Sequence, residues 1–155
     1  MRIIKLAIIS LVFFSLLITA ISLLIPSHIR LTRTIDIQTG KEKLLDQLSD
    51  SRNWQAWYPG MDSKDDSLKG FGGETKITSV TDSSVIATTT AGGRTFSNGW
   101  TIYPGMRPNS YTVQWYMDFR LRWYPWEKFS SLMFEKRYGS HMEAGLQKLR
   151  SLLER

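Results

Sequence analysis

Residues 6–25 read LAIISLVFFSLLITAISLLI, a run without one charge in a chain whose remainder is polar and aromatic. At about 1.5 Å of rise per residue, twenty residues make a helix of roughly 30 Å, the thickness of a bilayer's hydrocarbon core. Three readings compete for it: an uncleaved anchor, a cleaved signal peptide and a buried core helix. A core helix would show a charged side, yet Ser10, Ser15, Thr19 and Ser22 are the only polar residues. A signal peptide fits Arg2 and Lys5 but normally has a shorter apolar region and a small-x-small cleavage site. Ile18-Thr19-Ala20 is too bulky for that, and Ala20-Ile21-Ser22 would expose Leu23, Leu24 and Ile25 at a new N-terminus. The reading is therefore a basic leader at 1–5, a transmembrane anchor at 6–25 and one domain at 29–155. Arg30 and Arg33 beyond the span nearly balance Arg2 and Lys5. A short basic leader before a long apolar run still favours a single-pass signal anchor with its domain extracytoplasmic.

About 125 residues follow the span, enough for one ordinary domain. The net charge of +6 falls to +4 when Arg2 and Lys5 are set aside. That modest excess suits anionic headgroups, and it forms no basic stripe or module of the kind that binds nucleic acid. With no cysteine and only His28 and His141, 113 positions apart, the composition argues against a zinc site. Gly70, Gly72 and Gly73 lack the lysine and hydroxyl residue of a phosphate-binding loop.

Ile29, Leu31, Ile35 and Ile37 alternate with polar residues, the period of a strand with one buried face. Thr39-Gly40-Lys41-Glu42 has capping-box spacing, and Leu44, Leu45 and Leu48 mark the buried side of the helix that follows. A short turn over 51–57 carries Trp54 and Trp57 on one face. The glycine-rich stretch 61–73 reads as a mobile loop. Strands are expected near 74–81, 84–91, 94–103 and 110–123, with turns at Asp82-Ser83, Gly92-Gly93 and 104–109. In the last strand Tyr111, Val113, Trp115, Met117, Phe119, Leu121 and Trp123 share one face. A long helix then spans 126–153, its stripe formed by Phe129, Leu132, Met133, Met142, Leu146, Leu149 and Leu153. Gly139 and Gly145 interrupt it, which calls for a bend at one and close packing at the other.

This order of elements is α+β: a curved antiparallel sheet around a long C-terminal helix, preceded by one transmembrane helix. The segments SDSRNWQAWYP and WYPWEKFSSLMFEKRYGSHMEAGLQKLRSLLE resemble the START-like SRPBCC superfamily, in its membrane-anchored bacterial branch of polyketide cyclase/dehydrase and lipid transport proteins. The resemblance covers the whole chain and implies the helix-grip fold, with a cavity between sheet and terminal helix for a hydrophobic small molecule or lipid. Trp54, Trp57, Trp100, Trp115, Met117, Phe119, Met133 and Met142 are the candidate lining. The same residues would also serve as plain core. The segment between the tryptophan turn and the middle strands is shorter than usual for the family, which leaves five strands.

Catalysis finds little support in these residues. His28 reads as an interface residue, His141 as exposed or structurally bonded, and Asp118 and Arg120 as members of a cross-strand ion pair. Glu127 suits the positive end of a helix dipole. The expected function is a membrane-anchored, non-enzymatic module without catalytic residues, metal or cofactor, working beside the bilayer. The alternatives are a ligand-free envelope interaction domain, suggested by Trp123-Tyr124-Pro125-Trp126, and a cyclase-like enzyme. An open apolar pocket favours the first reading; an interior filled by Trp100, Trp115, Phe119 and Phe129 favours the interaction domain.

Overall fold

The apolar run forms helix α1, Arg2–Leu24, and almost none of it packs against the rest of the chain. It is long and apolar enough to cross a membrane. Only Ile25, Pro26 and Ser27 intervene before strand β1, His28–Gln38, so α1 enters the domain with almost no linker. The computed structural model describes residues 2–59, 73–91 and 93–155; most of the glycine-rich loop expected at 61–73, and Gly92 of the expected Gly-Gly turn, lie outside them.

Among the described residues, five strands make one antiparallel sheet in the order β1-β5-β4-β3-β2. Strands β2 to β5 are Glu74–Val80, Ser84–Ala91, Arg94–Pro104 and Ser110–Arg120. The period-two pattern of β5 is realised: Val113, Trp115, Met117 and Phe119 are buried, while Arg120 at the strand end is exposed. The outer side carries the expected cross-strand ion pair at Asp118, and Arg120 takes no part in it. Arg30, opposite Asp118 in register, forks both carboxylate oxygens at 2.7 Å and lies over the Tyr116 ring. The Arg30 guanidinium holds the Asp118 carboxyl below the usual carboxylate range against the opposing effect of burial.

Strand β5 stops three residues earlier than the alternation suggests. The Leu121 N–H still bonds Ser27 O, but Trp123 is exposed and Pro125 opens a helix. The capping box does not form either. Helix α2, Lys41–Ser49, takes Gly40 as its N-cap, which shifts Thr39 one position outside, so no side chain caps the helix. Leu44 and Leu48 are buried as expected. A 3-10 turn at Asn53–Ala56 then places Trp54 and Trp57 one above the other, because three residues complete a 3-10 turn, and both are buried.

The terminal helix is not continuous. It consists of α3, Pro125–Ser131, a π segment at Glu135–Gly139, and α4, Ser140–Leu153. A wider turn adds a residue and rotates everything before it relative to everything after. Consequently Met142, Leu146 and Leu149 face the sheet, whereas Phe129, Leu132 and Met133 of the expected stripe point outward. Arg33 of β1 pins the irregular turn through Glu135 and Glu143. The two glycines take the anticipated places: Gly139 lies in the π segment beside the Arg33 guanidinium, and Gly145 is pressed against Pro59 and Trp115.

Candidate functional site

The middle of the space between sheet and α4 is closed. Trp54, Trp57, Tyr58, Trp100 and Trp115 are almost fully buried in one aromatic group. Trp54 and Trp100 centroids lie 5.0 Å apart, Trp100 and Trp115 5.5 Å, and Trp57 and Trp115 6.1 Å. Cross-strand register sets Trp100 opposite Trp115, and the 3-10 turn drops Trp54 and Trp57 onto them. The Trp54 indole N–H donates to Leu48 O at 3.0 Å, tying the turn to α2. Burial pushes the Tyr58 phenol pKa up, partly offset by bonds to Thr89 and Thr75. Six of the eight candidate lining residues are therefore core: Trp54, Trp57, Trp100, Trp115, Met117 and Met142.

The other two, Phe119 and Met133, lie at a cavity of about 530 Å³ at the α1 end of the domain. Its walls come from the start of β4, the end of β5 and the α3–π segment. Phe119 is the hub, with ring centroids 5.0 Å from Phe96, 4.8 Å from Phe134 and 5.1 Å from Tyr138. These three partners were not singled out from the sequence. Phe96 shares the inward parity of Asn98 and Trp100 on β4, and Phe134 and Tyr138 are four apart on a helix face, so both spacings carried the signal.

Cations edge the apolar wall. Arg94, Arg120, Lys136 and Arg137 all line the cavity. Arg94 is engaged, its Nη2 donating to Glu127 Oε1 at 3.0 Å, while Glu127 Oε2 accepts from the Arg122 N–H at 2.9 Å. Glu127 thus does more than face the helix dipole; it is buried and joins α3 to β4. Arg120, Lys136 and Arg137 form no ion pair among the described residues. Such a site has the chemistry to hold an apolar body against rings and an anionic end among guanidinium and ammonium groups. Neither histidine lines it: His28 is exposed, with Nε2 3.4 Å from Asp118 Oδ1, and His141 is half-buried on α4. Among the described residues no cluster of His, Cys, Asp or Glu could hold a metal ion.

No curated protein sequence matches the chain. Solved structures do. A protein of Bacillus thuringiensis is 12% identical with a TM-score of 0.57, over 81% of this chain and 98% of that one. A protein of Nitrosospira multiformis is 8% identical with a TM-score of 0.60, over 81% and 96%. The di-domain aromatase/cyclase StfQ of the steffimycin biosynthetic pathway is 5% identical with a TM-score of 0.61, over 82% of this chain and 51% of that one. At these identities the likeness establishes the helix-grip fold, with the sheet around the terminal helix. Residues 28–154 match the family described as polyketide cyclase/dehydrase and lipid transport. The chain belongs to that family.

Proposed function

We propose that this chain is a membrane-anchored binding module that takes a single-chain anionic amphiphile, such as a fatty acid, into the cavity at the α1 end of its domain. The cavity carries the reading: about 530 Å³, walled by Phe96, Phe119, Phe134 and Tyr138, and edged by Arg120, Lys136 and Arg137, which form no ion pair among the described residues. A C16 chain has a volume within that figure and needs no opening of the tryptophan group. The ionisable lining is cationic and phenolic, which suits retention of an acid better than general acid–base work on it. α1 supports the anchor, and the short connection to β1 keeps the cavity near the end of the span.

The test uses the full chain in lipid nanodiscs with a diazirine-bearing palmitate as photoprobe. Adducts are expected on peptides containing residues 94–96, 119–121 and 130–138, with competition by unlabelled palmitate. Thr95→Trp, at an exposed cavity-lining position, should reduce them several-fold while leaving thermal unfolding in place. Labelling confined to α1 and indifferent to Thr95→Trp would sink the reading. The corresponding neutral alcohol probe should label the cavity more weakly, since it brings no negative charge to Arg120, Lys136 and Arg137.

A further inference from the structure

Helix α3 is built inside out. Three of its four polar residues, Glu127, Lys128 and Ser131, are 6, 4 and 4% exposed, whereas Trp126 is 66% exposed and the following Leu132 and Met133 are 67 and 65%. Trp123, just before the helix, is 63% exposed. A helix at a protein–water boundary normally has the opposite arrangement, because apolar side chains gain by leaving water and charged ones lose. The inversion is held by specific bonds. Glu127 is fixed by Arg94 and the Arg122 N–H, Ser131 Oγ donates to Lys128 O at 2.6 Å, and Lys128 Nζ donates to Ile25 O at 2.8 Å, just beyond the last turn of α1. The polar side thus faces the domain and the end of α1, and the apolar side faces away from both.

We propose that this outer face, residues 123–133, is a bilayer-docking surface seated at the boundary between headgroups and acyl chains, so that the cavity opens toward lipid. The inference rests on the reading of α1 as a membrane span. Continuity supplies the first argument: α3 is bonded to the chain where α1 ends, which is the level at which a span of this length reaches the interface. Composition supplies the second. Tyr124 is stacked on Trp126 and tilted against Trp123, with centroids 4.8 and 4.9 Å apart, and such amphipathic rings settle at headgroup depth. Charge is the third, since exposed Arg120, Arg122, Lys136 and Arg137 flank the apolar face and complement anionic headgroups. Met133 belongs both to this face and to the cavity lining, which makes the surface continuous with the site.

The chain has no cysteine, so a single one can be placed and labelled. The full chain would carry Leu132→Cys with an NBD fluorophore, in nanodiscs of phosphatidylcholine with a minor fraction of phosphatidylglycerol. Lys43→Cys, at an exposed position of α2 beyond the far end of β1, is the control. Emission from position 132 is expected to shift to the blue and to fall several-fold with doxyl-labelled lipid, and position 43 to do neither. The unlabelled native chain gives a second readout: brominated lipid should quench a tryptophan component that is lost in Trp123→Phe/Trp126→Phe. Retention in the nanodisc without quenching at 132 overturns the docking surface and leaves the anchor standing. A blue shift without lipid quenching also overturns it, because protein then covers the face. Loss of the chain from the nanodisc overturns the anchor and the surface together, while cavity labelling by the palmitate probe reports separately on ligand binding.

Discussion

Gly145→Ala sets two effects of opposite sign against each other within α4. Alanine gains about 1 kcal/mol of helix propensity over glycine. Its Cβ, however, would lie 2.8 Å from Pro59 Cδ and 3.0 Å from both Pro59 Cγ and Trp115 Cζ3. Carbon atoms prefer about 3.5–4.0 Å, so each neighbour has to retreat by roughly half an ångström or more. Neither can do so freely. Pro59 is a ring closed on its own backbone, and the buried Trp115 has Tyr58, Trp100 and Trp57 centroids at 5.4, 5.5 and 6.1 Å. Overpacking of this kind costs about 1–3 kcal/mol, and a site with no slack falls in the upper half of that range. The expected net effect is a loss of about 1 kcal/mol, the overpacking term exceeding the propensity gain. Urea unfolding of the full chain in detergent micelles, followed by tryptophan fluorescence, measures it. Ala144→Gly, at the exposed neighbouring position, isolates propensity and should cost about 1 kcal/mol. If Gly145→Ala proves more stable than the native chain by a similar amount, the close approach of α4 to the aromatic group is wrong.

Arg33→Lys keeps the charge but loses the fork that reaches Glu135 and Glu143; because both carboxylates are more than half exposed, it should cost only about 0.5–1 kcal/mol. Amide exchange in Glu135–Gly139 should nevertheless quicken, and unchanged exchange there would separate Arg33 from the π segment. Trp54→Phe deletes the donor to the buried Leu48 carbonyl and should lower stability by about 2 kcal/mol in the same unfolding assay, against no change if that bond is unimportant. The Asp118 carboxyl titrates lower in the folded chain than in the unfolded one, so its contribution is complete above about pH 4 and is lost as pH falls through the folded value. Asp118→Asn should flatten the decline of melting temperature in that acid range, by an amount kept small by the exposure of Arg30. An unchanged acid limb in this variant would assign the decline to other carboxylates.

What could be read from sequence followed periodicity. The strand alternation in β1 and β5, the leucines of α2 and the long apolar helix α1 each rest on local spacing, and each is present. The failures occur where distant residues decide. Thr39 has the right neighbours for a cap, yet the helix begins one residue later. Phe129, Leu132 and Met133 continue a helical stripe by count, but the turn at 132–133 and the π segment break the phase, at a place where Arg33, over a hundred residues away, binds Glu135 and Glu143. The site suffered the same way. Tryptophans near the loop were plausible cavity walls, whereas the cavity lies at the other end, around Phe119, where Phe96 and Phe134 arrive from separate elements. Local spacing cannot foresee which of two aromatic groups packs shut and which leaves room.

The pairing of β1 with β5 bears on how the chain is made. Arg30 and Asp118 stand 88 residues apart in sequence, yet they are opposite each other in the sheet. Among the described residues, the strand that leaves α1 is synthesised first of the sheet and acquires its one sheet neighbour last, after β2, β3 and β4 can already have formed a meander. At about 5–20 residues per second, the interval is roughly 4–18 s. Throughout it β1 is an unpaired, half-apolar strand held beside α1, and the order of assembly is set by strand order rather than by proximity to the first helix. A nascent chain arrested after β4 should therefore be cut by protease within residues 28–38, and a chain arrested after β5 has emerged should resist; equal cleavage in both would remove this account of its assembly.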